Sequence, residues 1–124
     1  MKPATYGLTH IAISVSDLKR TKKFYQTVFD MEVMYDEPGF IQLTTPGSRD
    51  ILVFEKAKKP NTNTGGIAHF GFRLRKAKDI DAALKKIRKA GGKILSHGEF
   101  VPGSPYVFFH DPDGYEVEVW YEKI

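Results

Sequence analysis

The chain contains no cysteine. This excludes a disulfide framework, a thiolate metal site and a cysteine nucleophile, and it fits a reducing cytosol. No apolar run is long enough to span a bilayer, and Met1 to Tyr6 lacks the apolar stretch of a secretion signal. A soluble, cytoplasmic protein without a membrane partner is therefore expected. Nucleic-acid motifs are also missing. The net charge is +4, but Lys19, Arg20, Lys22 and Lys23, and later Lys85, Lys86, Arg88 and Lys89, fall in two helix-like stretches. They do not alternate with aromatics, so they read as solvated helix faces rather than a phosphate-binding stripe. A modest pull on anionic substrates is what this charge allows. With 124 residues the chain is one domain with a real core.

What is present is a repeated pattern. Gly7-Leu8-Thr9-His10 opens the first half and Gly66-Ile67-Ala68-His69 the second. In the first half, a strand over 10–15 sets His10, Ala12 and Ser14 on one face and Ile11, Ile13 and Val15 on the other. Ser16 or Asp17 supplies an N-cap oxygen, and Leu18, Phe24, Tyr25, Val28 and Phe29 trace a helical apolar stripe ended near Asp30. Strands are predicted over 32–35, 40–44 and 51–55, parted by Pro38-Gly39 and Pro46-Gly47-Ser48 turns. The second half predicts a strand over 67–74, a helix over 79–90 stopped by Gly91-Gly92, and strands over 93–96, 106–109 and 116–121.

The fold class is thus α+β: two tandem βαβββ modules forming a curved, partly open mixed sheet around a cleft. Module one covers about 6–57, a linker about 58–65, and module two about 66–124. His10 and His69 take the same place in both copies, and Glu118 stands on the last strand. Two imidazoles and a carboxylate carried on rigid strands can cap one face of a divalent metal and leave its other positions open.

The chain resembles the vicinal oxygen chelate (glyoxalase/bleomycin resistance/dioxygenase) superfamily over essentially its whole length. The resemblance rests on Leu8 to Leu18, on Phe24-Tyr25, on Ile67-Ala68-His69-Phe70, and on Asp111-Pro112-Asp113-Gly114-Tyr115-Glu116-Val117-Glu118. It implies that His10, His69 and Glu118 bind one divalent ion per cleft: Fe, Mn, Co, Ni or Zn. It implies a small-molecule substrate with vicinal oxygens and a homodimer. In the swapped arrangements of the family His10 of one subunit joins His69 and Glu118 of the other, and the sequence leaves open whether the ligands come from one chain or two. Glyoxalase I enzymes use a fourth ligand where this chain has Val53. Glu55 and Gln42 are nearby on the strands but do not align with that position.

Extradiol dioxygenases carry a tyrosine where this chain has Phe108, and His97 is spaced wrongly for their catalytic histidine. Fosfomycin-modifying transferases carry a further tail after the glutamate. The expected function is a small metal-dependent, glyoxalase-like enzyme acting as a Lewis acid. Lyase, dioxygenase and thiol-transferase chemistry remain open, and no general base is identified. The alternative is a non-catalytic, drug- or metabolite-sequestering protein of the bleomycin-resistance type. Arg73 and Tyr106 are candidate substrate-binding residues. His110 reads as a strand-end residue, and Glu116 has no assigned side of its sheet.

Overall fold

The computed structural model describes residues 2–58 and 64–123. The chain divides into two compact units, residues 1–60 and 61–124. The expected linker over 58–65 falls largely on residues 59–63, which lie outside the described residues.

The first unit runs β1 (Ile11–Val15), α1 (Leu18–Phe29), β2 (Glu32–Glu37), β3 (Phe40–Thr44) and β4 (Leu52–Lys56). Its helix begins because Asp17, in extended backbone, accepts the Arg20 N–H at 3.0 Å. It ends because Asp30 adopts the left-handed conformation, with φ of 54°, and returns its N–H to Gln26. The sheet order is β1-β4-β3-β2, with β1 and β4 parallel and the other pairs antiparallel. Thr21, Phe24, Tyr25 and Val28 of the helix are buried, as are Ile13, Val15, Ile41, Leu43, Leu52 and Phe54 of the strands. Tyr25 is the hub: its ring lies 4.9 Å from Phe54, 5.2 Å from Phe24 and 6.0 Å from Phe29.

The second unit repeats this order with β5 (Phe70–Arg73), α2 (Ile80–Lys89), β6 (Lys93–Glu99), β7 (Pro105–His110) and β8 (Glu116–Trp120). Its sheet is ordered β5-β8-β7-β6, again with one parallel pair. Ile87, Val107, Phe109, Val117 and Val119 are fully buried on the helix side. Even the irregularities repeat, since the register shifts once between Val33 and Tyr35 and once between Ile94 and Ser96. The tandem βαβββ reading is therefore correct at the level of topology.

The strands form two four-stranded mixed sheets, one in each unit. Two expectations change in detail. A 3-10 turn over Ala77–Asp79 precedes α2, so the second helix starts as a tighter coil without a side-chain cap. The strands following the histidines start one residue later than expected in the first unit and three later in the second, because ladder pairing begins at Ile11↔Leu52 and Phe70↔Val117. His10 and His69 each stand just before a strand.

Candidate metal centre

The placement of the candidate ligands follows from register. In the second unit, Gly71 pairs with Glu118 across the parallel β5–β8 ladder, and Phe108 pairs with Glu118 across the antiparallel β7–β8 ladder. The alternating burial of β8, with Val117 and Val119 in the core, turns Glu116, Glu118 and Trp120 to the opposite face. His69 sits at the head of β5 on that same face. Its Nε2 lies 3.7 Å from Glu118 Oε1, and its Nδ1 lies 3.9 Å from Glu116 Oε2.

Two features hold Glu118 in place. The first is the Asp111–Tyr115 turn. Asp111 is only 4% exposed, and its Oδ1 accepts the N–H groups of Asp113 and Tyr115, each at 3.0 Å. Backbone bonds from Asp111 to Tyr115 and from Gly114 to Asp111 close the turn, and Gly114 takes a φ of 87° there. This turn fixes how β7 meets β8, and so which residue lies opposite Phe108. The second is Gly71. A Cβ on it would lie 3.2 Å from the Glu118 carbonyl oxygen and 3.3 Å from the Glu118 Cβ. Only glycine leaves Glu118 its present room at that close crossing of strands.

The electrostatics follow from these neighbours. The Glu118 side chain is 13% exposed, and Phe108 stands opposite it on the next strand. Burial pushes its carboxyl above the ordinary value, while the nearby His69 ring works in the opposite direction. His69 in turn meets the Phe108 ring edge-on at 5.3 Å. A carboxylate that loses water to an apolar wall gains from a cation placed beside it.

An imidazole nitrogen and a carboxylate oxygen suit a first-row divalent ion. Two donors about 2.1 Å from one ion lie roughly 3.0–3.4 Å apart for octahedral or tetrahedral angles. The observed 3.7 Å is within a few tenths of an ångström of that span. The structure thus brings two of the three expected ligands together. His10 is exposed on the first unit, immediately before β1. Among the described residues no group of three or more His, Asp or Glu side chains is gathered closely enough to hold an ion.

The register also tests the vacancy at Val53. Ala12 pairs with Val53 in the first unit as Gly71 pairs with Glu118 in the second, so Val53 occupies the matching place. Gln42 lies directly across from Val53, and Glu55 is exposed opposite Phe40. Arg73 forms an exposed ion pair with Glu122 at 3.1 Å. Tyr106 faces the same side as Glu118, with Trp120 opposite it across the ladder. His110 ends β7 between Lys93 and Glu116. His97 lies on the helix side, in a cavity of about 420 Å³ with Asp81, Leu84 and Glu99. Sequence reading missed Gly71 and the buried role of Asp111. A glycine inside an alternating strand was the available signal for the first; nothing in the sequence separates a buried turn aspartate from an exposed one.

Residues 7–119 match the family model described as Glyoxalase/Bleomycin resistance protein/Dioxygenase superfamily. The chain is 31% identical to the uncharacterized protein PA2024 of Pseudomonas aeruginosa, over 92% of this chain and 87% of that protein. It is 27% identical to the trivalent organoarsenical cleaving enzyme of a Bacillus species, over 92% of this chain and 72% of that enzyme. Its fold is similar to a variant of the fosfomycin resistance protein FosX from Listeria monocytogenes, solved with Mn(II) and 1S,2S-dihydroxypropylphosphonic acid. That likeness has a TM-score of 0.75 at 21% identity, covering 94% of this chain and 90% of that one.

Proposed function

This chain belongs to the glyoxalase/bleomycin resistance protein/dioxygenase superfamily, and on that premise we propose that it is a metal-dependent, glyoxalase-like enzyme acting on a small substrate with two adjacent oxygens. His10, His69 and Glu118 are the proposed ligands of one divalent ion. The observation that carries this reading is the His69–Glu118 pair, 3.7 Å apart with His69 just before β5 and Glu118 on the neighbouring β8, together with a second histidine at the matching place of the other unit. FosX was solved with Mn(II) and a compound whose hydroxyls sit on adjacent carbons, and this chain's N/O donor set suits the same kind of ion.

When bound, the ion supplies Lewis-acid polarisation of substrate oxygens. The chain supplies the rest. Gly71 and the Asp111 turn hold Glu118 in position, and the partial burial of its carboxylate strengthens its attraction for a cation. Three protein donors leave positions for the substrate. Valine at 53 withholds a fourth ligand and with it one carboxylate able to accept a proton.

The protein is further proposed to be a cytoplasmic homodimer whose ion is held by His10 of one subunit and by His69 and Glu118 of the other. A two-fold dimer is the commonest closed assembly, and it completes the ligand set without a fourth ligand. No described helix is long and apolar enough to cross a membrane. Metal analysis of untagged protein is expected to find one of Fe, Mn, Co, Ni or Zn near one per chain, with H10A, H69A and E118A each losing it. Mixing H10A with H69A, each defective alone, then separates the arrangements. Shared ligands restore up to one intact site per mixed dimer; ligands from a single chain restore none. Full metal content in H69A would sink the reading and favour the sequestering alternative, for which the missing carboxylate at Val53 speaks.

A further inference from the structure

A row of rings leads away from His69 on the face that carries Glu118. The Phe108 ring lies 5.3 Å from His69, Tyr106 lies 5.6 Å from Phe108, and Phe100 stacks on Tyr106 at 4.2 Å with only 16° between their planes. None of these three rings belongs to the core. Phe108 and Tyr106 are half-buried, and Phe100, beyond the end of β6, is 53% exposed. Trp120, the single tryptophan, stands across the ladder from Tyr106 and is half-buried too.

The row is built into the sheet. Gly98 pairs with Tyr106, and a Cβ on it would meet the Tyr106 hydroxyl at 3.4 Å and its ring at 3.5 Å, so the missing side chain lets that ring lie across β6. Phe100 then covers the far side. Exposed aromatic surface that is contiguous and held in one geometry marks a binding surface more often than a solvated one. Here the row starts at the ring of a proposed ligand. A molecule held at His69 and Glu118 that extends along this face therefore meets Phe108 first, then Tyr106 and Phe100.

We propose that the substrate carries a planar aromatic group next to its vicinal oxygens, and that this group packs along Phe108, Tyr106 and Phe100. This rests on the metal reading above: the oxygen pair is the end held at the ion, and the aromatic group is the specificity end. Aliphatic substrates of three or four carbons would leave the row in water. Offset or edge-to-face ring contacts, together with the apolar area they cover, are worth about tenfold in affinity per added ring.

The test uses three hydroxamates with the same oxygen pair and a growing tail: acetohydroxamate, benzohydroxamate and 2-naphthohydroxamate. Each is titrated by calorimetry into Zn(II)-loaded protein, and Trp120 fluorescence reports whether benzohydroxamate lies beside it. The Kd is expected to fall about tenfold from methyl to phenyl and again from phenyl to naphthyl. F100A, at an exposed position, and Y106L should reduce the methyl-to-naphthyl ratio to about twofold. Equal Kd values for all three probes would overturn the aromatic assignment while leaving the metal reading intact. Failure of acetohydroxamate to bind, or of the protein to take up Zn(II), would overturn both. Loss of a dimer in F100A, with no change in the probe ratios, would make the row a subunit contact and also overturn the proposal.

Discussion

The two units share one topology and spend their residues differently. Under its helix the first unit packs Phe24, Tyr25 and Phe54, all essentially buried. The matching helix positions of the second unit are Ala83 and Leu84, and Leu84 lines the 420 Å³ cavity rather than filling it. On the open face the balance reverses. The second unit sets Glu118, Phe108 and Tyr106 where the first has Val53, Gln42 and Phe40, at the same ladder positions. The first copy is thus the better-packed scaffold, and the second carries a half-buried strand carboxylate, Glu118, with aromatic rings beside it. A duplication fixes where a side chain will stand; it leaves open which copy uses the place for chemistry.

The largest test of that contrast is in the cores. Tyr25→Ala removes a fully buried ring with three aromatic neighbours and should cost about 3–5 kcal/mol. Leu84→Ala, at the matching place beside an existing cavity, should cost about 1–2 kcal/mol. Urea midpoints at constant slope measure both. Equal losses would mean that the two helices are equally well packed and that the contrast is wrong.

The next test compares two turn carboxylates. Each unit joins its last two strands through a loop with an aspartate. Asp111 is buried and accepts two backbone N–H groups, whereas Asp50 is exposed while its Oδ1 and Oδ2 accept from Thr45 N and Thr45 Oγ1, each at 2.7 Å. Asp111→Ala strands two donors away from water and should cost about 2–4 kcal/mol. Asp50→Ala exchanges its bonds for water and should cost about 1 kcal/mol or less. Because the Asp111 turn also sets the position of Glu118, metal affinity should fall in Asp111→Ala and hold in Asp50→Ala. A reversed order of stabilities would break the account of the turn.

Much of this was legible in the residues themselves. Alternation in Ile11 to Val15 gave both strand and face, because one side of the sheet is buried and a one-residue slip would invert it. In Glu116 to Trp120 it gave the strand, and the burial of Val117 and Val119 then fixed the face. The helix over Leu18–Phe29 was legible from its apolar spacing and its Asp17 cap. Aligning Val53 with Glu118 needed only the repeat, and the ladders agree with it. Other features depend on close approach in space, which spacing along the chain does not encode. The room that Gly71 makes for Glu118 is one, and the Phe100–Tyr106 stack is another, since it joins residues on either side of a hairpin whose loop fixes their distance. The 3-10 start of the second helix was hidden for a different reason: Lys76 offers no capping oxygen, so no signal marked where the coil begins.

The smallest effect expected concerns the carboxylate that only the second unit has. Burial raises the Glu118 carboxyl above its ordinary value, so the folded, metal-free chain holds that proton more tightly than the unfolded one. Stability from this group is then fully present below the ordinary carboxylate range and is lost as pH rises through the raised value. Glu118→Gln keeps the shape and removes the titration. With a chelator present, its melting temperature should gain on the wild type as pH rises from about 4 to about 7, by no more than about 2–4 °C. A divalent ion should reverse the trend, since it replaces the proton and favours the ionised form, so wild type with metal gains stability over the same window. Val53 titrates nothing, so the first unit has no counterpart of this group at the matching place. Parallel melting curves for wild type and Glu118→Gln across that range, with chelator and with metal, would remove Glu118 as the group that distinguishes the two copies.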